Sequence, residues 1–268
     1  MAKTSGRRFL VRIEDLDRAR SSAGVAHRQL DDLAALGLDW ASDVWCQSSR
    51  FAIYRGYVST LPTYECYCTR AEIAAASQAP HEDYRPYPGT CAALTPTERA
   101  ARRAEGRSPA IRVRAGGTTM TIHDDHAGDV TRVVDDFVLI RGDGTPAYNL
   151  AAVIDDGLQG IDQVVRGADL LSSAPRQGWL ARRLGFAVPT YAHVGLAMNG
   201  RRDRLAKRDG AVTMRALASA RGLKPPDVLR LLTDSLGWPP LGPAELLAEA
   251  PTLLASPLIW TPWVVPAY

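Results

Sequence analysis

Three observations in the sequence predict an α/β fold with a parallel-sheet core and a helical C-terminal part. Residues 9–13 (FLVRI) are typical of a strand, and an amphipathic helix follows after an acidic turn. Residues 144–171 combine a buried apolar run, a second acidic turn and a short strand ending at Arg166, which has the character of a parallel-sheet core. From about residue 213 the pattern is helical with proline breaks.

The elements between these regions follow from spacing and capping signals. A first helix is predicted to close at Gly37, and a second lies around residues 49–61. Residues 78–94 are rich in proline and predict a loop with little regular structure, which needs a contact that holds it in place. Thr95 and Glu98 predict a capping box at the start of a short helix. Three strands (AIRVRA, TTMTIH and DDFVLIR) and a helix over 172–186 come next.

Composition excludes several classes of protein. The chain has 268 residues with 46% hydrophobic and 23% charged content, which is ordinary for a globular protein. The net charge of +3 is small, so contact with a polyanion must depend on local basic clusters. No run reaches the roughly 18 apolar residues of a membrane helix, and no signal peptide is evident. We therefore expect a cytoplasmic protein that does not contact a membrane.

Cysteine spacing gives the most specific local signal. Cys66, Cys68 and Cys91 lie within a 26-residue window, which in a reducing compartment favours a metal over a disulfide. Zinc needs a fourth ligand, and the residues alone leave it open among His81, Glu82, Asp83, Tyr84 and Tyr87. The alternative is a set of ordinary free thiols. Cys46 is interpreted as a small buried apolar residue.

Two further segments carry candidate binding residues. Glu14 follows the first strand, where a carboxylate can bind an ammonium group; the alternative is a solvated turn paired with neighbouring arginines. The segment NGRRDRLAKRDG holds five cations in eight residues and suggests phosphate binding, with Lys207 placed to neutralise charge on a triphosphate. Its alternative is a basic surface loop that touches tRNA or nothing.

Polar residues near predicted strand ends complete the set. Tyr148 and Arg166 each lie near the end of a predicted strand, and Arg166 is suited to hold a carboxylate through two hydrogen bonds. Either could equally be structural. The HDDH at 123–126 resembles a metal pair, but a solvated loop is the favoured interpretation.

Five of these pieces in this order resemble a known family: RIEDLDRAR, YCTRAEI, PAYNLAAVIDD, VVRGADLL and RLAKRDGA. They are similar to the class I glutamyl-tRNA synthetases, specifically their short paralogues, the glutamyl-Q tRNA(Asp) synthetases. The match covers most of residues 7–240. The resemblance implies a Rossmann-type parallel sheet with a zinc-containing insertion, a helical C-terminal part and no anticodon-binding half.

The resemblance also implies an activity and its partners. Glutamate would be activated with ATP, with Mg2+ as companion ion, to give glutamyl adenylate and pyrophosphate. The glutamyl group would then pass to the cyclopentene diol of queuosine in the anticodon of tRNA(Asp). A monomer with one Zn2+ is expected.

Site residues follow from the same resemblance. Glu14 looks like the binder of the glutamate amino group, and Tyr148 and Arg166 look like further glutamate contacts. Lys207 corresponds to the lysine of the ATP-binding KMSKS-type loop. That loop reads Arg204, Leu205, Ala206, Lys207 and Arg208, with Ala206 in place of the usual serine. The implied zinc ligands are Cys66, Cys68, Tyr87 and Cys91.

The resemblance predicts a division of the chain into four segments. Residues 1–65 would begin the catalytic domain, 66–140 would form the zinc-containing insertion, 141–212 would complete the catalytic domain and 213–268 would be helical. Family members begin with a phosphate-binding HIGH-type turn that these residues do not contain. We expect the true start to lie upstream of Met1, and this chain as it stands to be unstable or to fail ATP–pyrophosphate exchange.

Two rival functions stay open on the sequence. One is a truncated glutamyl-tRNA synthetase that charges the 3′ end of tRNA, against which ADLL and the tyrosine in the zinc set argue. The other is a catalytically inactive zinc-bearing RNA-binding module, suggested by the absent turn and Ala206.

Overall fold

The structure is a computed structural model that describes residues 1–17, 21–69, 71–73, 86–203, 213–254 and 257–264. The chain divides into two compact units, residues 1–46 with 194–268, and residues 47–193.

The α-helices, numbered over the described part, are α1 (Ala23–Ala35), α2 (Phe51–Val58), α3 (Pro96–Ala104), α4 (Tyr148–Gln159), α5 (Ala174–Arg183), α6 (Met214–Arg221), α7 (Pro225–Ser235) and α8 (Pro243–Leu253). The strands are β1 (Arg12–Ile13), β2 (Trp45–Cys46), β3 (Thr63–Cys66), β4 (Ala110–Val113), β5 (Thr119–Asp124), β6 (Gly128–Val133), β7 (Val138–Ile140), β8 (Gln163–Gly167), β9 (Thr190–Val194), β10 (Ala197–Met198) and β11 (Trp263–Val264).

The first unit carries two short parallel strand pairs and four of these helices. β1 pairs with β2, and β10 pairs with β11. After α1 the chain turns at Gly37, whose φ of +79° is in the left-handed region that glycine adopts without strain. The ring of Pro243 at the start of α8 lies against this glycine, so the turn also packs α8 onto the end of α1.

The second unit contains two larger sheets. The first is antiparallel, in the order β3-β4-β7. The second has the order β6-β5-β9-β8, with β5 antiparallel to β6 and parallel to β9. The core of this unit includes the inward side chains of β5, namely Met120, Ile122 and Asp124, which alternate with exposed neighbours. Helix α5 packs on that face, because Gly178 brings its backbone close to Ile122.

Helix α4 is buried on most of its faces. Leu150, Ala151 and Ile154 are fully buried, and so is the carboxylate of Asp155. Arg50 donates to this carboxylate at 2.8 Å and the Tyr54 hydroxyl donates at 2.8 Å. A buried charge is tolerated when it is paired and hydrogen-bonded in this way. The pairing fixes α2 against α4.

Most predicted helices are confirmed. Helices α1, α2, α3 and α5 match predictions made from spacing and capping. The helical pattern predicted from residue 213 is confirmed as α6, α7 and α8, whereas Trp263–Val264 form strand β11. The capping box at Thr95 and Glu98 is present, with both reciprocal bonds formed. The three predicted strands correspond to β4, β5 and β7. The strand predicted over residues 9–13 is confined to Arg12–Ile13.

The sheet prediction needs correction. The described strands form mixed and antiparallel sheets and short parallel pairs, so the α/β class is confirmed, and the predicted parallel sheet is found in this part of the chain only as some parallel pairings. The apolar run after residue 147 is helix α4, so Tyr148 begins a helix and does not end a strand. Short apolar runs do not distinguish a buried helix from a buried strand. The segment 123–126, inferred to be a solvated loop, lies at the end of β5 and in the β5–β6 turn, where its side chains are exposed except for that of Asp124.

Cys46 also differs from its prediction. It lies in β2 and is partly exposed, because that two-residue strand is only half covered. No helix among the described residues is both long and apolar enough to cross a membrane.

A glycine pair in two helices gives a test of the packing. A Cβ at Gly157 in α4 would lie 2.3 Å from the Phe186 ring, whereas a Cβ at Gly56 in α2 meets nothing within 4 Å. We expect Gly157→Ala to lower the free energy of unfolding by about 1–3 kcal/mol through overpacking. Gly56→Ala, as the control, should raise it by about 0.5–1 kcal/mol. Urea unfolding measures both, and a Gly157→Ala protein as stable as the parent would contradict the packing described.

Candidate active site and metal centre

A sulfur and phenol cluster lies at the end of the antiparallel sheet. Cys66 ends β3, Cys68 follows two residues later, and Cys91 enters from the turn after the proline-rich loop. Gly89 permits that turn because its φ is +82°. Cys66, Tyr87 and Cys91 are 2%, 6% and 5% exposed. The loop is thereby fastened to the sheet at this cluster.

The distances within the cluster are those of a small polar cage. The three sulfurs lie within 4.8 Å of one another, and the Sγ atoms of Cys68 and Cys91 are 3.4 Å apart. The Tyr87 hydroxyl is 3.4 Å from Cys66 Sγ and 3.6 Å from Cys68 Sγ. A tetrahedral zinc with bonds of about 2.3 Å separates its ligands by roughly 3.8 Å. Soft thiolates with one oxygen donor therefore fit zinc in number and spacing.

The surroundings tune these groups. Burial raises the pKa of Tyr87, and hydrogen bonds with the two nearest sulfurs raise it further. Burial also raises the pKa of Cys68 to about 11. For Cys66, burial alone would raise the pKa, but bonds with Tyr87 and the cation of Arg112 hold it below its ordinary value. The Arg112 guanidinium stacks 3.6 Å from the Tyr87 ring centroid, where its charge favours an anionic cluster.

Two aspartates hold the cluster in place from outside. Asp135, which is 7% exposed, accepts from the Tyr87 amide at 2.6 Å and from Arg176 Nε of α5 at 2.6 Å. Asp136 accepts from the hydroxyl of Tyr64 in β3 at 2.8 Å. These bonds orient the ligand-bearing backbone, as outer partners do in metal sites.

Arg166 lies in β8 near its end, as predicted, and is held by three protein acceptors. Its Nε donates to His193 Nε2 at 3.0 Å, Nη1 donates to Gln177 Oε1 at 2.7 Å and Nη2 donates to the Leu170 carbonyl at 3.3 Å. The Tyr191 ring lies beneath the guanidinium, 5.2 Å from its centre. A guanidinium can bind a planar carboxylate through two hydrogen bonds, and these three bonds fix the orientation of this one.

The remaining predicted residues are distributed as follows. Tyr148 begins α4 in the same unit as Arg166. Glu14 follows β1 in the first unit and its side chain is exposed. Residues 204–212, including Lys207 and the KMSKS-like segment, lie outside the described residues, as do His81, Glu82, Asp83 and Tyr84.

The sequence did not reveal the polar network behind Arg166. His193 Nδ1 lies 2.7 Å from Asp124 Oδ2, and Gln177 Nε2 donates to Asn149 Oδ1 at 3.0 Å. Asp124, Gln177 and His193 are 1%, 2% and 3% exposed. One signal was available, since Asp124 occupies the inward register of β5 that Met120 and Ile122 also occupy.

The α/β fold fits the catalytic domain of a class I aminoacyl-tRNA synthetase. Residues 1–253 match the family model described as tRNA synthetases class I (E and Q), catalytic domain, and the chain belongs to this family.

Similar curated proteins carry a more particular name. The chain is 56% identical over 252 residues to the glutamyl-Q tRNA(Asp) synthetase of Nocardia farcinica, covering 92% of this chain and 80% of that protein. It is 51% identical over 251 residues to the protein of the same name from Cutibacterium acnes, covering 92% and 72%.

Solved structures agree on the fold. The glutamate-tRNA synthetase of Elizabethkingia anophelis aligns with a TM-score of 0.72 at 22% identity, covering 92% of this chain and 59% of that one. A glutamate tRNA ligase from Elizabethkingia meningosepticum, crystallised with its amino acid, aligns with a TM-score of 0.63 at 25% identity, covering 78% and 47%. The chain spans about half the length of these two structures.

Proposed function

We propose that the chain activates glutamate with ATP and transfers the glutamyl group to queuosine in the anticodon of tRNA(Asp). The observation that carries this proposal is the 56% identity, over 92% of the chain, to a protein named glutamyl-Q tRNA(Asp) synthetase. The family match supports the reaction class, since class I synthetases for glutamate and glutamine form aminoacyl adenylates.

The first step joins glutamate to AMP. The substrate α-carboxylate attacks the α-phosphorus of ATP, the bond to pyrophosphate breaks, and glutamyl adenylate forms. Glu14 would bind the ammonium group of glutamate. Arg166 and Tyr148 would contact other parts of the glutamate molecule. Lys207 in the segment 204–208 would stabilise the negative charge that moves onto the departing pyrophosphate, with Mg2+ as companion ion.

The second step transfers the acyl group. A hydroxyl of the queuosine cyclopentene diol attacks the acyl carbon of the adenylate, an ester bond forms and AMP leaves. This reaction would take place on tRNA(Asp) in the cytoplasm, with the enzyme acting as a monomer. The basic segment before α6 is a suitable place for contact with the polyanion.

One zinc ion would be held by Cys66, Cys68, Tyr87 and Cys91. The spacing and the donor atoms of these four side chains support that assignment. The zinc ion would have a structural role, because a closed set of four ligands leaves no open position for a substrate. The segment 66–140 would then be the zinc-containing insertion between the two catalytic segments 1–65 and 141–212, with 213–268 as the helical end.

The experiment that tests the proposal locates the labelled amino acid. The protein is incubated with ATP, radiolabelled glutamate and tRNA(Asp) with or without queuosine, and the tRNA is then cut into anticodon and acceptor fragments. We expect label in the anticodon fragment of queuosine-containing tRNA alone. Label at the acceptor end would show a glutamyl-tRNA synthetase. Failure to form glutamyl adenylate, together with measured binding of tRNA, would favour an inactive RNA-binding protein.

A further inference from the structure

A continuous line of polar side chains runs behind Arg166 within the second unit. Asp124 at the end of β5 contacts His193 in β9 at 2.7 Å, and His193 contacts Arg166 in β8 at 3.0 Å. On the other side, Gln177 of α5 accepts from Arg166 at 2.7 Å and donates to Asn149 at 3.0 Å. Five elements thus contribute to the placement of one guanidinium, counting β5, β8, β9, α5 and α4.

The direction of each bond fixes the protonation state of His193. Arginine has only N–H donors, so Arg166 Nε requires an unprotonated Nε2 on His193 as its acceptor. The proton of the neutral ring must therefore reside on Nδ1, where it is donated to Asp124 Oδ2. Asp124 Oδ2 also accepts from the His193 amide at 3.1 Å. The carboxylate selects the tautomer, and the tautomer in turn holds the guanidinium.

Gln177 connects this arrangement to the helix that carries Tyr148. Its amide oxygen accepts from Arg166 and its amide nitrogen donates to Asn149, the residue after Tyr148 in the first turn of α4. Three of the five N–H groups of Arg166 are occupied by the protein bonds described, and a carboxylate bound through two hydrogen bonds needs two. The framework therefore supports a guanidinium with a capacity suited to one substrate carboxylate.

We propose that His193, with Asp124 behind it, is a positioning residue that holds Arg166 in the orientation required to bind a carboxylate of glutamate. This inference rests on the proposed function for the identity of the ligand. The orientation itself, which is His193 in its neutral Nδ1–H form accepting from Arg166, stands on the geometry of the second unit alone.

The charges around His193 give the expected pH response. Burial lowers the pKa of His193, the Asp124 bond opposes this, and the charge of Arg166 lowers it further. The charge of Asp169 also acts on the His193 ring. The Tyr191 ring stacks on the His193 ring, with their centroids 5.8 Å apart. For Asp124, burial alone would raise the pKa, but amide donors from Ala127 and His126 and the His193 ring keep it below its ordinary value.

The sign of the effect follows from these directions. The folded pKa of His193 lies below its unfolded value of about 6.5, so its contribution to stability is complete above that pH and is lost as the pH falls. Once the folded ring takes up a proton, Nε2 becomes a donor and no longer accepts from Arg166. We therefore expect KM for glutamate to be constant at and above about pH 6.5 and to rise only when the pH falls through the lowered pKa of the folded His193 ring.

Substitutions at His193 separate positioning from packing. His193→Gln retains one acceptor and one donor at the tip of the side chain, whereas His193→Leu retains neither. In ATP–pyrophosphate exchange, we expect His193→Leu to raise KM for glutamate about 10-fold to 100-fold, with KM for ATP changed less than about twofold. His193→Gln should recover at least threefold of that loss and should abolish the rise of KM that the parent shows as the pH falls through the lowered pKa of His193. The exposed His123, changed to Gln, is the control.

Nitrogen-15 NMR of the imidazole supplies a readout that needs no turnover. Correlation of the ring nitrogens, assigned with His193→Gln, should show a neutral Nδ1–H ring at pH 6.5. Asp124→Asn should move the proton to Nε2, because an amide nitrogen then faces Nδ1. A ring protonated on Nε2 in the parent protein would overturn the positioning role. Equal KM values for glutamate in His193→Leu and the parent would also overturn it.

The two proposals fail in different ways. If the parent enzyme shows no glutamate-dependent exchange, the proposed function fails, and the NMR spectra still decide whether His193 holds Arg166. If the parent is active and Arg166→Ala leaves KM for glutamate unchanged, the proposed function stands and the positioning inference is wrong.

Discussion

Replacement of Cys91 by alanine is expected to remove zinc from the protein and to cost several kcal/mol of stability, the largest effect among the variants considered. Cys91 is 5% exposed and lies 3.4 Å from Cys68, so its loss removes one corner of the cage and leaves the other ligands without a closed set. Zinc content after dialysis, measured by mass spectrometry, should fall from one ion per chain to near zero, with a matching fall in the thermal midpoint.

The fourth cysteine provides the control. Cys46→Ala should retain the zinc and most of the stability, because Cys46 lies in β2 in the other unit, outside the cluster. Tyr87→Phe tests whether Tyr87 is the fourth ligand. The variant keeps three thiolates, so it should retain zinc with a lower affinity. Full zinc content in Cys91→Ala, or loss of zinc in Cys46→Ala, would refute the assignment.

Replacement of Lys207 by alanine is expected to slow glutamate-dependent ATP–pyrophosphate exchange about 100-fold to 1,000-fold. The physical reason is the loss of one positive charge aimed at the pyrophosphate in the transition state. The rate constant for exchange should fall more than KM for ATP changes, because the charge acts mainly as the pyrophosphate leaves. Exchange needs no tRNA, so this measurement also tests the interpretation of the segment as a basic surface that contacts only tRNA.

Arg201→Ala serves as the matched variant for Lys207. Arg201 belongs to the same basic run, its side chain is 79% exposed, and its Nε lies 3.6 Å from Asp203. Removing this charge should change exchange less than about threefold. Equal effects at residues 201 and 207 would mean that general positive charge matters and that Lys207 has no special role.

The thiol cluster was predictable from sequence because its chemistry is concentrated in a short window. Three cysteines within 26 residues are close enough in sequence to predict that they lie together. In the structure their sulfur atoms lie within 4.8 Å of one another. The fourth donor was not predictable from the residues, since five side chains of the loop had suitable atoms. Only the family resemblance selected Tyr87, whose hydroxyl lies 3.4 Å from Cys66 Sγ.

The support of Arg166 could not be predicted, for a different reason. Asp124 and His193 are 69 residues apart, and their pairing depends on the parallel alignment of β5 with β9. A local pattern contains no information on such a pairing. The helix beginning at Tyr148 was missed because an apolar run of that length fits either a strand or a helix, and packing against α2 and α5 decides the outcome.

One carboxylate described above has a wider consequence. One carboxylate oxygen of Asp135 accepts from the Tyr87 amide, and the other accepts from Arg176. The next residue along α5 is Gln177, which accepts a hydrogen bond from Arg166. Asp135 and α5 therefore connect the backbone of Tyr87 to the side chain that supports Arg166. On the proposed assignments, removal of the zinc ion is expected to weaken glutamate binding through this connection. A chelator titration followed by measurement of glutamate affinity would test the linkage.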